Sequence, residues 1–354
     1  MWKKTVAIVL CLMLALGLAA CGGESSSEPE SESSSQLQSQ PAVEHGTVNR
    51  LTGIEGLSEQ AVGKRPVAVM INNHKAALPQ YGIADADILF ETQVEGGITR
   101  MMAIYGDYTK IPDVCSVRSA RFYYPIVAMA FDAVYVHWGE EPTYATNIIT
   151  NFGVDRLSGA ANPGNIFGRD QARRNAGYAL EHTGYLKGQM IPQVLETLNY
   201  RTDLKEDAKQ TVFAFAPQDE PVKPQDGQTE KVKLNFSSSY YSTFTYDPAS
   251  GTYLKQHSGK PQMDGKAGTQ LAFTNLLVLE TSIEPLVGTL MDVSVVGSGR
   301  GWWISQGGYQ AITWSKADER APFVWKDAQG KELTLNAGKT YIGMIRPDCT
   351  EIVK

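Results

Sequence analysis

The sequence predicts an α+β or α/β N-terminal domain followed by a mainly antiparallel, all-β C-terminal domain. Between residues 50 and 200, apolar runs typical of strands alternate with segments that have a helical pattern, and this alternation is typical of α/β layers. After about residue 205 the helical pattern ends, and short apolar runs follow one another with turn-forming residues between them. That spacing is typical of a β-sandwich or barrel. We therefore expect an N-terminal domain over residues 49–204 and a C-terminal domain over residues 205–354.

Residues 1–20 have the pattern of a bacterial lipoprotein signal peptide. Lys3 and Lys4 precede an apolar run over residues 6–18, and small residues lead from there to Cys21. The run is shorter than the roughly 20 residues that a membrane span needs. We therefore expect Cys21 to become the first mature residue and to carry acyl chains such as palmitate. The alternatives are an ordinary signal peptide or a single membrane span with a chance cysteine.

Residues 21–48 predict a flexible acidic tether. Between residues 22 and 44 the chain is rich in Ser and Glu and contains no aromatic residue, Lys or Arg. Such a stretch cannot bury enough apolar surface to offset the entropy lost on ordering, and its like charges repel one another. Together with the lipid, it would hold the folded part on the extracytoplasmic face of the cell membrane.

In the predicted N-terminal domain, residues 66–73 are apolar, rich in β-branched side chains and end in two asparagines, which predicts a buried strand. Residues 87–94 and 98–105 are extended runs around a Gly-Gly pair, which favours a hairpin. Residues 122–130 carry a proline in an early turn, which is typical of a helix start. The remaining predicted elements are a strand over residues 131–138 and helices over residues 144–151, 170–178 and 193–199.

In the predicted C-terminal domain, short runs between turn signals predict strands. They cover residues 211–215, 231–236, 242–246, 251–257, 274–281, 291–296, 301–304, 308–314 and 339–345. The glycine-rich stretch 297–303 is followed by neither a helix nor a GK[ST] motif, so we expect a tight turn rather than a phosphate-binding loop. Four tryptophans are expected to pack in the core of a sheet, with stacking on sugars as the alternative. They are Trp302, Trp303, Trp314 and Trp325.

The composition limits the partners and cofactors. The 354 residues carry a net charge of −6, which provides no basic field, so we expect no nucleic-acid partner. The folded part contains Cys115 and Cys349, and the sequence leaves open whether they form a disulfide because geometry decides this. There is no CxxC pair and no second histidine at metal-ligand spacing from His137, so we expect neither a metal nor a cofactor.

Three arginines lie close together in the predicted N-terminal domain. Arg100 is on the second hairpin strand, and Arg118 and Arg121 come just before the predicted helix. Guanidinium groups bind carboxylates and phosphates through paired hydrogen bonds, and a strand-to-helix turn adds backbone N–H donors. This predicts a site for an anionic ligand, such as a phosphorylated or carboxylated glycan of the cell envelope. The alternative is that the arginines form structural salt bridges with nearby carboxylates. The carboxylates available for this are Glu91, Glu95 and Asp132.

His137 is predicted to end a strand, next to Glu140 and Glu141. Strand ends collect the sites of α/β domains, and a histidine beside carboxylates can act as an acid or a base. This supports a second hypothesis, an envelope hydrolase or transferase that uses His137 with Glu95 or Glu141. The alternative is a structural histidine that is hydrogen-bonded at the strand end. Asn73, at the end of the first strand, is expected to line the same crevice or to cap a turn.

Several blocks of the sequence resemble the YerB-like lipoproteins of Gram-positive bacteria. The most specific are the segments Glu-Gly-Gly-Ile-Thr-Arg over residues 95–100 and Val-Arg-Ser-Ala-Arg over residues 117–121. The other matching blocks are residues 66–73, 82–88, 132–137, 275–278, 313–316 and 330–340. The resemblance covers nearly all of residues 50–346. It implies a two-domain extracytoplasmic lipoprotein from a family of unknown function, and it implies no activity.

We therefore expect a membrane-anchored protein that binds an anionic cell-wall polymer or an envelope protein, and we expect binding rather than catalysis. The candidate ligand-binding residues are Arg100, Arg118, Arg121, Asn73, Glu95 and His137. The envelope enzyme described above is the second hypothesis. A non-catalytic scaffold for other surface proteins is the third.

Overall fold

The computed structural model describes residues 47–208 and 213–353. The predicted signal peptide, Cys21 and all but the last two residues of the predicted tether lie outside the described residues. All described residues belong to one unit of the chain, His45–Lys354. Both predicted domains are thus part of the same folded body.

The helices of the described residues lie in the N-terminal half. Its strands are β1 (Val48–Asn49), β2 (Ile54–Glu55), β3 (Val67–Asn72), β4 (Ile88–Gln93), β5 (Thr99–Tyr105), β6 (Val114–Cys115), β7 (Val134–His137), β8 (Arg156–Ser158), β9 (Phe167–Arg169) and β10 (Gly184–Leu186). Its α-helices are α1 (Tyr123–Ala130), α2 (Tyr144–Asn151), α3 (Gln171–Asn175) and α4 (Ile191–Thr197). Its 3-10 helices are Glu59–Ala61, Lys75–Ala77, Glu95–Gly97, Pro163–Asn165, Leu180–His182 and Gly188–Met190.

The described part of the C-terminal half consists of strands and loops. The strands are β11 (Ala214–Phe215), β12 (Gly227–Gln228), β13 (Lys231–Asn235), β14 (Tyr241–Asp247), β15 (Thr252–His257), β16 (Lys260–Pro261), β17 (Ala272–Phe273), β18 (Asn275–Glu280), β19 (Ile283–Pro285), β20 (Met291–Val293), β21 (Gly297–Ser305), β22 (Gly308–Lys316), β23 (Val324–Asp327), β24 (Thr334–Leu335), β25 (Thr340–Ile345) and β26 (Thr350–Val353). Most of their pairings are antiparallel. The predicted fold class is confirmed, with mixed helices and strands followed by mainly antiparallel strands.

Eleven of the described strands form the central sheet. Its order is β12-β22-β21-β18-β25-β4-β5-β3-β7-β8, with β23 paired to β22. Strands β18, β25 and β4 are parallel neighbours, as are β3, β7 and β8, and β5 runs antiparallel between β4 and β3. Because β25 comes from the predicted C-terminal domain and β4 from the N-terminal one, a single sheet contains strands of both.

Both faces of the central sheet are covered, which explains why its inner strands are apolar throughout. On one face, Met70 and Phe90 pack with helix α1. On the other, Val69 and Leu89 pack with Phe244 of the C-terminal sheet, which we define as β16-β15-β14-β13-β26 with β17. All six residues of β3 are therefore buried, as the prediction of a buried strand requires.

The predicted hairpin is confirmed as the antiparallel pair β4 and β5. Its link bends through Gly96 and Gly97, whose φ angles of 67° and 69° lie in the left-handed region that favours glycine. Helix α2 has the predicted bounds, and α1, α3 and α4 overlap the helices predicted over the same segments. The Gly-Gly pair and the proline in an early turn were therefore sufficient signals for the hairpin and for α1.

The tight turn predicted over residues 297–303 is wrong, because this stretch belongs to the nine-residue strand β21. Its glycines are explained by close packing rather than by a turn. A Cβ on Gly301 would lie 2.3 Å from the carbonyl oxygen of Val278, and one on Gly299 would lie 2.6 Å from Nε1 of Trp314. Glycine within a strand can mark such a close approach.

Candidate functional site

The predicted site residues gather at the edge of the central sheet where β3, β4 and β7 end. Arg100, at the start of the antiparallel strand β5, lies opposite Asn72 at the end of β3. The segment that follows β6 crosses this edge, since the N–H of Arg118 donates to the carbonyl of Met70 and the N–H of Trp138 donates to the carbonyl of Arg118. Carboxyl ends of parallel strands are the usual place for ligand sites in such sheets. We call Arg100, Arg118 and Arg121 the arginine cluster.

Arg100 is buried without a carboxylate partner. Only 3% of the residue is exposed, and Nη1 donates to the carbonyl oxygen of Ser119 at 2.7 Å. Burial, with the neighbouring charges of Arg121 and Arg118, lowers its pKa to about 10. Within the part of the chain that the structure describes, no carboxylate forms an ion pair with it. A buried charge left in this state is costly to the fold.

The other two arginines are partly neutralised. Nε of Arg121 forms an ion pair with Oε1 of Glu95. Nη1 of Arg118 lies 4.0 Å from the largely exposed carboxylate of Glu181, and its buried Nε has no hydrogen-bond partner in the described residues. The cluster thus sets three guanidinium groups against one close and one distant carboxylate, which leaves it positively charged.

Two of the carboxylates expected as structural partners lie elsewhere. Glu91 is within 3.1 Å of Nζ of Lys255, and Asp132 is within 2.6 Å of Nη2 of Arg201. Of the three carboxylates expected from the sequence, Glu95 alone forms an ion pair with the arginine cluster in the described residues. Structural salt bridges therefore account for Arg121 but not for Arg100.

His137 does not face either of the carboxylates proposed for acid–base chemistry. It is fully buried, Nδ1 donates to the carbonyl oxygen of Gly139 at 2.8 Å, and Nε2 lies 3.6 Å from Oε2 of Glu140. Burial lowers its pKa. The carboxylate of Glu141 instead accepts the backbone N–H groups at the start of α2, and Glu95 is paired with Arg121. The structure thus places His137 as a buried strand-end histidine.

Asn73 belongs to a buried polar network rather than to an open crevice. Its Nδ2 donates to Oε1 of Glu91 at 2.8 Å and to Oγ1 of Thr99 at 2.7 Å. The same Glu91 carboxylate accepts hydrogen bonds from Ser242 at 2.9 Å and Tyr341 at 2.8 Å, both from the C-terminal half. Burial alone would raise the pKa of Glu91, but the charges of Lys255 and His257 and the hydrogen bonds from Thr99 and Tyr341 lower it. The network therefore joins the two halves of the chain.

Sequence reasoning missed two charged neighbours of the cluster. Glu181 comes from a 3-10 helix, and Arg169, at the end of β9, lies close enough that Arg118 lowers its pKa after the larger effect of burial. The Arg169 guanidinium stacks over the ring of Trp138 at 4.0 Å. No local pattern could have found either residue, since only the pairing of β9 with β10 brings this segment to the edge.

Other features limit the chemistry of the described residues. Among them, no three His, Cys, Asp or Glu side chains are grouped so as to hold a metal ion. Cys115 is buried, Cys349 is partly exposed, and both are free thiols. No helix within residues 47–208 and 213–353 is long and apolar enough to cross a bilayer.

Comparisons with known proteins identify relatives of the whole folded part. Residues 51–201 match the family model "Protein of unknown function (DUF3048) N-terminal domain", and residues 232–342 match the corresponding C-terminal domain. The chain is similar to "Putative lipoprotein YerB" of Bacillus subtilis (strain 168), with 28% identity over 303 residues that cover 84% of this chain and 86% of that protein. It is also similar to the crystal structure of the YerB protein from Bacillus subtilis, with a TM-score of 0.72 and 25% identity over 86% of this chain and 99% of that one. This chain therefore belongs to the DUF3048 family of two-domain, YerB-like proteins.

Proposed function

We propose that this protein is an extracytoplasmic lipoprotein that is anchored in the cell membrane through Cys21 and binds an anionic ligand of the cell envelope at the arginine cluster. The ligand would present phosphate or carboxylate groups, because these match the planar, paired donors of guanidinium groups. Anionic wall polymers carry such groups at high density.

The anchor is supported by the sequence and by a relative. Residues 1–20 have the three parts of a lipoprotein signal, and Cys21 follows its small-residue end. The similar Bacillus subtilis protein bears the name "Putative lipoprotein YerB". Residues 22–44 then provide an acidic tether, which would keep the folded part away from an anionic membrane and close to the wall.

Binding is supported above all by the unpaired charge of Arg100. A buried guanidinium that serves stability is normally matched by a carboxylate, as Arg65 is matched by Asp132 and Asp155 in the same protein. Arg100 instead lies beside Arg121 and Arg118, which lower its pKa further. An arriving anion would supply the missing counter-charge, so part of the cost of burying Arg100 would be recovered on binding.

The proposal is tested with the soluble chain from residue 22 onward and purified anionic wall polymer, using sedimentation of the polymer with bound protein. Arg118→Ala is the first variant, because Arg118 is partly exposed and its Nε has no partner to lose within the described residues. Losing one charge-assisted contact is expected to weaken binding about tenfold or more, or about 1.5–3 kcal/mol. Binding by the unaltered protein should also weaken as salt rises.

The matched control is Arg300→Ala, which removes the same charge from the surface strand β21, where the side chain is 80% exposed. It is expected to bind like the unaltered protein. If Arg118→Ala binds as well as the control, or if the polymer is not bound at low salt, the arginine cluster is not the binding site.

A further inference from the structure

A cleft of about 910 Å³ lies at the opposite edge of the central sheet from the arginine cluster. Arg65, Asp132 and Asp155 line it, and they directly precede or stand close before strands β3, β7 and β8. The cleft is therefore at the amino ends of the strands whose carboxyl ends carry the arginine cluster. Its far wall comes from residues 320–333 of the C-terminal half.

One wall of the cleft is apolar and aromatic. Phe323 and Trp325 stack with their ring centroids 5.1 Å apart, and both line the cleft with Leu333. Met129 and Val154 line it from the N-terminal half. A wall of this kind suits a hydrocarbon or ring system rather than a fully hydrated ion.

The polar groups of the cleft include donors that lack acceptors. Arg50 lines the cleft, and its Nη1 donates to the carbonyl oxygen of Ala208 at 2.6 Å. Its buried Nε and Nη2 have no hydrogen-bond partner in the described residues, and neither has the buried Nε1 of Trp325. On the described lining residues, the buried side-chain atoms without a hydrogen-bond partner are thus all N–H donors, which a ligand could satisfy only with acceptor atoms.

Asp132, a lining carboxylate whose charge acts on Arg50, already has other partners. Asp132 accepts from Nη1 of Arg201 at 2.8 Å, from Nη2 of Arg201 at 2.6 Å and from the N–H of Lys205 at 3.0 Å. The guanidinium of Arg65 donates a hydrogen bond to the backbone carbonyl of Asp132 and forms an ion pair with the carboxylate of Asp155. Among the described residues Arg50 therefore has no carboxylate partner, and it lines a cleft that combines one apolar wall with further charged residues, among them Asp207 and Glu332.

We propose that this cleft binds an amphipathic anion, a molecule with one carboxylate, sulfonate or phosphate group on a hydrocarbon or aromatic body. The anionic group would take the donors of Arg50, and the body would lie along Phe323, Trp325 and Leu333. The arginine cluster has no part in this site, so the two can be tested separately.

The probe is 8-anilinonaphthalene-1-sulfonate, an aromatic sulfonate whose fluorescence rises on binding, titrated into the soluble chain from residue 22 onward. We expect one saturable site that Arg50→Gln weakens about tenfold, which is the effect of one charge-assisted contact. Val154→Phe, which fills the cleft without changing any charge, is expected to weaken it as well. Arg300→Gln, on the exposed strand β21, is expected to bind like the unaltered protein.

Displacement of the probe by competing compounds tests the anionic group and the apolar body of the ligand separately. Decanoate is expected to displace the probe, whereas inorganic phosphate, which has no apolar body, and decanol, which has no charge, should do so poorly. Near-UV circular dichroism of each variant confirms its fold, and Arg50→Gln alone decides the case if Val154→Phe does not fold. Equal probe affinity in Arg50→Gln and the unaltered protein, no saturable binding, or displacement by phosphate or decanol as strong as by decanoate would overturn the proposal.

Discussion

Replacing Arg100 by Met is expected to leave the free energy of unfolding unchanged or to raise it, although the residue is buried in the centre of the candidate site. The substitution keeps most of the apolar stem and removes the charge. If Arg100 is retained for binding rather than for stability, the fold should not need it. The same change should greatly reduce binding of anionic polymer.

The magnitude follows from the environment of the guanidinium. Burial, together with Arg121 and Arg118, lowers the pKa of Arg100 from its ordinary 12.5 to about 10. Each unit of pKa corresponds to about 1.36 kcal/mol, so keeping Arg100 charged at this position costs the fold roughly 3 kcal/mol. The hydrogen bond from Nη1 to the carbonyl of Ser119 returns about 1.5–3 kcal/mol, because it involves a charged donor. Arg100→Met should therefore change the free energy of unfolding by about 0 to +1.5 kcal/mol.

Arg65 provides the matched comparison, since it is nearly as buried and lies at the other end of β3. Its guanidinium forms ion pairs with Asp132 and Asp155 and donates to the carbonyls of Ala133 and Arg201. Arg65→Met leaves Asp155 without its cation and the carbonyls of Asp132, Ala133 and Arg201 without their donor, although Asp132 keeps Arg201, and should lower the free energy of unfolding by about 3 kcal/mol.

Urea unfolding at pH 7, followed by tryptophan fluorescence, measures both changes, and equal slopes against urea would show that the unfolding reaction is the same. The expected result is a difference of at least about 3 kcal/mol between the two variants, with Arg100→Met the more stable. If Arg100→Met loses as much stability as Arg65→Met, Arg100 is a structural residue and the argument for a binding role fails.

Three further substitutions test the network, a buried histidine and the anchor. Lys255→Met should lower the free energy of unfolding by about 3–5 kcal/mol because Glu91 then keeps a buried, unmatched charge, and the change should cost clearly less in a Glu91→Gln background, as urea unfolding can measure. Burial and the charge of Lys255 lower the pKa of His257 to about 4, so between roughly pH 6.5 and 4 the unfolded chain binds its proton more readily and stability should fall as the pH falls. His257→Gln should show a weaker fall, and an equal one would contradict this reasoning. Cys21→Ser should abolish palmitate labelling and release the protein from membrane fractions; undiminished retention would exclude a lipid anchor.

The parts of the fold that the sequence predicts well are those whose signal is local. Strand β3 is apolar at consecutive positions, and the hairpin of β4 and β5 is marked by Gly96 and Gly97, which must adopt positive φ angles. Helix α2 follows from its apolar spacing. For each of these elements, the residues that determine the conformation lie within the element or directly beside it.

The shared sheet could not be predicted in this way. Strand β25 pairs with β4 in a parallel register that places Ile342 beside Phe90. Neither segment contains a sequence signal that identifies the other as its pairing partner. Pairing across such a sequence distance is decided by which apolar faces fit together once other elements have packed. The glycines of β21 misled the prediction for the same reason, since the groups that require them, on Val278 and Trp314, lie on other strands.

The candidate site, like the fold, could be predicted from the sequence only where its signal is local. The three arginines were visible as a group in the sequence, but their partners were not, and the partners decide what the arginines can do. Glu95 neutralises Arg121, as a nearby carboxylate was expected to do, whereas Arg100 keeps its charge because Glu91 turns to Lys255 instead. The number of charged residues in the sequence does not show which carboxylate pairs with which cation.

The two proposed sites should act independently because of the strands that separate them. The six residues of β3 span roughly 20 Å at about 3.3 Å per residue, with Arg65 before the strand and Asn72 at its end. At an effective dielectric constant of about 20, two unit charges this far apart interact by less than about 1 kcal/mol. Every residue of β3 is buried between packed faces, so a shift of the strand that could transmit binding would have to disturb both cores. Arg50→Gln, alone or combined with Arg118→Ala, should therefore change the free energy of polymer binding by no more than about 0.5 kcal/mol, and a larger change would mean that the two ends of the sheet are coupled.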